Sequence, residues 1–228
     1  MYKVGKYIPS DSMSNLICDN YPMLLVMSRF GIDLGFGEQT IEQTCTKNGV
    51  DTYTFLSVVN ILISEEKQGV VIEYEKISLD SLVKYLHNSH SYFLDYRLPT
   101  IRRELIEALE SGGEITTLIL NYYDEYVSEV HKHMMYEENT LFPYINAMAM
   151  GSQEDQYNIG IFSKHHDKVE SKLSELKNIM IKYYSSSTTN ELTNVLYDIF
   201  SCERDLASHN CIEDFLLVPT IKRLESKR

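Results

Sequence analysis

The sequence has few of the residues that interrupt helices or crosslink chains: among 228 residues there are 10 Gly, 5 Pro and 4 Cys. The cysteines, which are Cys18, Cys45, Cys202 and Cys211, form no Cys-x-x-Cys pair. That spacing argues against a disulfide framework and against a cysteine zinc site. Basic residues are also scarce, with 21 Lys and Arg against 33 Asp and Glu and a net charge of −12. A surface of that sign repels phosphate, so the charge speaks against nucleic acid as a partner.

Long hydrophobic runs are missing as well. No stretch approaches the roughly 18 apolar residues that a membrane-spanning helix needs. The first residues, MYKVGKYIPSDS, lack the apolar core of a signal peptide. We therefore expect a cytoplasmic protein with no membrane partner. GxSxG, Walker-loop and HExxH motifs are absent too, which speaks against the classical hydrolases.

The hydrophobic pattern predicts an all-α fold. With 43% hydrophobic residues, the chain can bury a core, and its sparse Gly and Pro separate long stretches with helical periodicity. Short connections between long amphipathic helices predict an antiparallel up-down four-helix bundle, preceded by a small helical N-terminal domain. The expected segments are the N-terminal domain at 1–67, a linker at 68–77 and the bundle at 78–228, with helices near 79–110, 114–150, 154–184 and 190–228.

An internal repeat connects the second and fourth long helices. HMMYEENTLFPYI, from His133, and HNCIEDFLLVPTI, from His209, share the pattern His-x-x-x-Glu-acid-x-x-Leu-x-Pro-x-Ile at an offset of 76 residues. The same offset relates His90 to His166, and each of these precedes the His of its motif by 43 residues. The sequence therefore predicts two similar helical hairpins, each with one His on its first helix and His-x-x-x-Glu on its second.

The spacing within the motif favours a metal site. Residues four apart lie on one face of a helix, so His133 and Glu137 point together, as do His209 and Glu213. A single such pair is usually a solvated ion pair, but the repetition in register favours ligands. Imidazole and carboxylate groups suit iron, manganese or zinc, and carboxylate-bridged di-metal sites occur in bundle cores. The candidate ligands of two such metals are His90, His133, Glu137, His166, His209 and Glu213.

Other polar residues are weaker candidates. His87 lies one helical turn before His90, and Glu107 or Glu110 could fill an open position; whether any of the three completes the site stays open. His131 is about 200° from His133 around the helix, so we expect it to face away. His165 is expected to be exposed or to support a neighbouring ligand.

The motif segments resemble a known family. VHKHMMYEENTLFPYI, FSKHHDKVESKL and ASHNCIEDFLLVP resemble the hemerythrin-like di-iron proteins of the RIC type (repair of iron centres), over about residues 78 to 224. The resemblance implies a non-haem centre of two iron ions, bridged by the glutamates or by an oxygen atom. It places His133, Glu137, His166, His209 and Glu213 on iron. Manganese and zinc remain open from the ligand types alone.

Two departures from that family concern function. Its N-terminal Cys-Cys-Gly-Gly turn corresponds here to Leu34–Gly37, which has no cysteine, so a scaffold or partner-binding role is expected for this region. In the family the first-helix histidine lies eight residues before a proline; here Ser91 holds that place, and His90 is one residue earlier. The family's further histidine at the end of this helix is also absent. With one ligand fewer, one iron has an open position for a small molecule.

Three functions follow as hypotheses. The first is a di-iron protein of nitrosative or oxidative stress that binds nitric oxide or oxygen and supplies iron to damaged iron–sulfur proteins. The second is an oxygen or nitric oxide sensor that signals to a partner without catalysis, which the missing Cys-Cys favours. The third is a metal-free structural bundle. The sequence leaves the oligomeric state open, with a homodimer among the possibilities.

Overall fold

The structure is a computed structural model that describes residues 6–65, 70–109, 113–150, 158–162, 170–184 and 189–227. Among these residues every regular element is helical, apart from one isolated antiparallel bridge between Ser12 and Thr40. The all-α class is therefore confirmed. The α-helices are α1 (Met13–Asp19), α2 (Met23–Arg29), α3 (Ile41–Lys47), α4 (Thr52–Ile63), α5 (Leu79–Ser91), α6 (Leu98–Ala108), α7 (Glu114–Tyr136), α8 (Phe142–Ala149), α9 (Ile159–Phe162), α10 (Glu170–Tyr183), α11 (Thr189–Ile212) and α12 (Val218–Glu225).

Local sequence signals set the ends of the short N-terminal helices. The side chains of Ser12, Thr40 and Asp51 accept hydrogen bonds from backbone N–H groups in the first turns of α1, α3 and α4. Pro22 precedes α2, as its fixed φ favours, and Gly31 follows that helix with a φ of +73°. Pro22 thus lies at the break between α1 and α2.

The chain forms two compact units, of which the first comprises residues 1–89 and 208–228. Its core includes Phe55 on α4, which is fully buried, and the ring of Phe30, which packs against Phe55 and Tyr85 at centroid distances of 5.3 and 4.8 Å. A short 3₁₀-helix, Tyr74–Lys76, packs against α12. The residues at 70–73 form no strand.

The second unit comprises residues 90–207. Its buried core draws on four helical stretches, 93–109, 119–134, 173–180 and 195–206. Helix α7 packs against both α6 and α10. Amphipathic helices that share one core in this way form a helical bundle, which agrees with the expected fold. This agreement concerns the fold and not the domain boundaries expected from the sequence, which stay a prediction.

Three π-helical segments interrupt the long helices: Tyr92–Arg97, Glu137–Leu141 and Glu213–Leu217. The first residue after each segment donates its backbone N–H to a carbonyl five residues earlier, as in the bond from Phe142 to Glu137. A proline lies two residues after the end of each segment, at 99, 143 and 219. Proline has no N–H and collides with the carbonyl four residues before it, so a regular α-helix cannot run through this point. The sequence predicted uninterrupted helices near 79–110, 114–150 and 190–228, and the π segments correct that expectation.

Within the described residues, no helix combines the length and the apolar composition that crossing a bilayer requires.

Candidate metal centre

His90 is held on both edges and on one face of its ring. It lies in the last turn of α5 and is 2% exposed. Its Nε2 is 3.1 Å from Oε2 of Glu137, and its Nδ1 is 2.7 Å from Oε1 of Glu138. The ring stacks on Phe142, with centroids 5.4 Å apart and an interplanar angle of 8°. These contacts leave the imidazole little freedom to rotate.

Glu137 lies between two imidazoles. His133 is one turn earlier on α7, and its Nε2 is 2.9 Å from Oε1 of Glu137, while the other carboxylate oxygen faces His90. Glu137 is fully buried, and among the described residues neither oxygen accepts a hydrogen bond with good geometry. A buried carboxylate needs compensation by a cation or by hydrogen bonds. The surroundings of Glu137 are therefore those of a metal ligand.

The second His-x-x-x-Glu motif has the same local geometry. Nε2 of His209, in the last turn of α11, is 3.2 Å from Oε1 of Glu213, and both side chains are fully buried. Glu213 begins a π segment, as Glu137 does. The 76-residue repeat in the sequence is thus also a repeat of local structure.

Four of the candidate ligands converge. One ligand atom from each of His90, Glu137, His209 and Glu213 lies within 4.8 Å of the others, and all four residues are buried. Two imidazole nitrogens and two carboxylate oxygens form a donor set that suits iron, manganese or zinc. A cation there would also compensate the charge of the two buried carboxylates. The residues present therefore fit a bound metal.

The other candidates have varied surroundings. His133 contacts Glu137 without belonging to the group of four. His87 and His131 are exposed, as is Ser91, the residue at the position where the related family has its histidine. Two candidate residues, His166 and Glu110, lie outside the described residues, as does His165.

Glu107 lies apart from the histidine cluster. It lines a cavity of about 400 Å³ together with other acidic residues, among them Glu104, Glu191 and Asp198. Burial of Glu104, its hydrogen bond with Asp198 and the charge of that carboxylate raise the pKa of Glu104 above the ordinary value of 4.5. Arg97 donates a hydrogen bond of 2.8 Å to Asp198. This acidic cavity accounts for the surroundings of Glu107 without a role at the cluster.

Glu138 is a residue of the site that the sequence motifs alone did not single out. A signal was present, because the acid that follows Glu137 recurs as Asp214 in the repeat. The structure adds that Glu138 contacts the imidazole edge of His90 that faces away from Glu137.

Comparison with known proteins agrees with this geometry. The sequence matches the family described as Hemerythrin HHE cation binding domain over residues 81–221, which is more than half of the chain. No curated protein sequence matches this one significantly. The match includes both His-x-x-x-Glu motifs and His90, and all four residues of the buried cluster. The chain belongs to the hemerythrin family of HHE cation-binding domains.

Proposed function

We propose that this chain is a non-haem di-iron protein that binds nitric oxide or oxygen. The observation that carries the proposal is the buried group of His90, Glu137, His209 and Glu213, whose ligand atoms lie within 4.8 Å of one another. Membership in a family of cation-binding domains supports a metal there. Iron is preferred over manganese and zinc because of the resemblance to di-iron proteins, and His133 and His166 complete the proposed ligand set.

The chain's own residues have separable roles in this proposal. Glu137 and Glu213 supply negative charge in a buried position and would hold the metals, while the imidazoles would supply neutral nitrogen ligands. The rings of Phe142 and Phe162 lie against His90 and His133, and they restrict water near the ligands. Ferrous iron, when bound, supplies the capacity to coordinate a small diatomic ligand at an open position.

The biological setting is a further part of the proposal. A diatomic-binding iron centre suits a role in nitrosative or oxidative stress, in which the protein supplies iron to damaged iron–sulfur proteins in the cytoplasm. The resemblance to the RIC type supports this setting.

Iron content and the visible spectrum test the proposal. We expect about two iron ions per chain after anaerobic loading with ferrous iron, and a visible spectrum that changes on exposure to nitric oxide or air. His133→Ala removes a proposed ligand and should lower the iron content and the spectral change. His131→Ala, two residues earlier and exposed, is the matched control and should leave both unchanged. Less than about one iron per chain, or the same result for the two variants, would refute a di-iron function.

A sensor without repair activity is the second candidate. The observation that favours it is the turn at Leu34–Gly37, where the related family has two cysteines and this chain has none. Two glycines of this turn, Gly35 and Gly37, have φ values of +91° and +59°, so the turn itself is well formed without thiols. A change of oligomeric state or capture of a partner on addition of nitric oxide would favour the sensor. Iron transfer to an apo iron–sulfur protein would favour repair.

A further inference from the structure

Of the two carboxylates that contact His90, Glu138 lies nearer to the ring than Glu137. Its Oε1 is 2.7 Å from Nδ1, compared with 3.1 Å between Nε2 and Oε2 of Glu137. His90 is buried, with a side chain 3% exposed, whereas the side chain of Glu138 is 22% exposed. A glutamate at the edge of the core thus reaches inward to the ring of a buried histidine.

The two contacts give the two ring nitrogens of His90 different roles. A neutral imidazole carries one N–H donor and one nitrogen with a free lone pair. If Nδ1–H donates to Glu138, Nε2 keeps its lone pair, and Nε2 is the nitrogen that faces Glu137. Metal-binding histidines commonly donate the other ring N–H to a carboxylate or a carbonyl, which fixes the tautomer and the ring orientation.

The sequence repeats this pairing. Glu138 follows His90 by 48 residues, and Asp214 follows His166 by the same 48 residues. An acid directly after the bridging Glu is therefore present in both halves of the chain. His166 lies outside the described residues, so this agreement is one of sequence spacing. It favours a role connected with the histidines over a chance surface acid.

We propose that Glu138 is a positioning residue for the metal centre: by accepting the Nδ1–H of His90, it holds the tautomer and the orientation in which Nε2 binds iron. This inference rests on the proposed function. Glu138 itself does not bind iron. The competing explanation is that Glu138 only ties the π segment Glu137–Leu141 to His90 and contributes to stability alone.

Three variants separate these explanations. Glu138→Gln keeps the size of the side chain and removes its charge. Glu138→Asp keeps the charge and shortens the reach by one methylene. Glu129→Gln is the matched control, because it makes the same change on α7 at a residue that pairs with Lys132 at the surface. Far-UV circular dichroism of each metal-free variant verifies that it folds.

Ferrous iron is the probe, titrated anaerobically against a competing chelator. We expect Glu138→Gln and Glu138→Asp to lower the iron affinity by about 10- to 100-fold, the usual effect of losing such a supporting carboxylate. Glu129→Gln should retain the affinity of the unmodified protein. Mössbauer spectra of iron-57 at saturation should show one altered site in Glu138→Gln and one unaltered site.

A second readout does not depend on iron. In the metal-free protein, ¹⁵N NMR of the histidine rings should show His90 mainly as the Nδ1–H tautomer, and Glu138→Gln should shift that population. An unchanged tautomer, or affinities within about twofold of the unmodified protein, would overturn the inference and leave the di-iron function in place. Unmodified affinity in Glu138→Asp would also overturn it, because charge alone would then suffice. Failure of the unmodified protein to bind iron would instead refute the proposed function, and the inference with it.

Discussion

His90 is the candidate ligand on which the structure and the family resemblance make different predictions, and its replacement is therefore the most informative. The resemblance points to the position of Ser91, which is exposed. The structure has His90 buried, 3.1 Å from Glu137 and within the group of four converging residues. Residues adjacent in a helix point about 100° apart, so only one of the two positions can face the cluster. We predict that His90→Ala weakens metal binding and that His87→Ala does not.

The size of the effect follows from linkage between binding and folding. Loss of a residue that supports a metal ligand commonly lowers metal affinity by about 10- to 100-fold, which is about 1.4 to 2.8 kcal/mol, and we expect the loss of His90 to cost an amount of this order. At saturating metal, the same free energy is lost from the metal-dependent stabilisation of the fold. For a chain of this size, 1 kcal/mol corresponds to about 2–4 °C in melting temperature. The rise in melting temperature on adding iron should therefore be about 3 to 11 °C smaller in His90→Ala.

The measured quantity is the rise in melting temperature on adding iron, compared between the variant and the unmodified protein. This comparison removes the effect that the substitution itself has on the stability of the metal-free fold. His90→Ala also loses the stacking on Phe142 and the contact with Glu138, so the metal-free variant melts earlier. Thermal unfolding with and without ferrous iron, under anaerobic conditions, cancels that loss. His87→Ala, one turn earlier on α5 and exposed, is the control and should show the full rise.

A histidine swap sharpens the test. The double variant His90→Ser with Ser91→His restores the histidine at the position that the related family uses. The structure predicts no recovery of the metal-dependent rise, because residue 91 is exposed. Full recovery in the double variant, or a rise in His90→Ala within about 1 °C of the unmodified protein, would refute the assignment of His90.

Two further predictions concern the second compact unit. Tyr123, which is 1% exposed, donates a hydrogen bond of 2.8 Å to the carbonyl of Leu98; Tyr123→Phe should lower the free energy of unfolding in urea by about 0.5–1.5 kcal/mol, and a value near zero would contradict that role. The pKa of Glu104 is raised by burial, by the hydrogen bond with Asp198 and by the charge of that residue. The stability that Glu104 contributes is therefore present at low pH and is lost as the pH rises through its folded-state pKa. Glu104→Gln should therefore be more stable than the unmodified protein at pH 7.5 in urea titrations, with a difference that shrinks towards pH 4, and equal differences at the two pH values would count against this explanation.

The paired motifs were predictable because local geometry determines them. Residues four apart in a helix share a face whatever the surrounding fold, so the contacts of His133 with Glu137 and of His209 with Glu213 follow from spacing alone. Their burial did not follow from spacing, because a single pair of this kind is usually solvated. The 76-residue repeat supplied that information, since chance surface pairs have no reason to recur in register with a proline.

The π segments and the contact of Glu138 with His90 could not be predicted from the sequence, because both depend on the tertiary structure. A proline in a helical pattern predicts a disturbance, but kinking, termination and a π turn are alternative responses that packing decides. Glu138 is adjacent to Glu137, and on a regular α-helix adjacent side chains diverge by about 100°. They meet one imidazole here because each contacts a different ring nitrogen of His90. The spacing of residues in the sequence does not predict that Glu137 and Glu138 contact the same ring.

From the order of elements at the two motifs we expect the candidate ligands to be arranged before any metal binds. In each half, the histidine lies in the last turn of an α-helix, the glutamate begins a π segment, and a proline follows six residues after the glutamate. Because the proline disrupts the α-helical hydrogen bonds at this point and packing selects the π turn, covalent structure and packing maintain the turn without a ligand. The conformational cost of bringing four polar side chains within 4.8 Å of one another is then incurred during folding, so little of the metal's binding energy is spent on ordering the chain. We therefore expect metal to bind with little change in helix content, and its affinity to depend chiefly on the candidate ligands and on the residues that orient them.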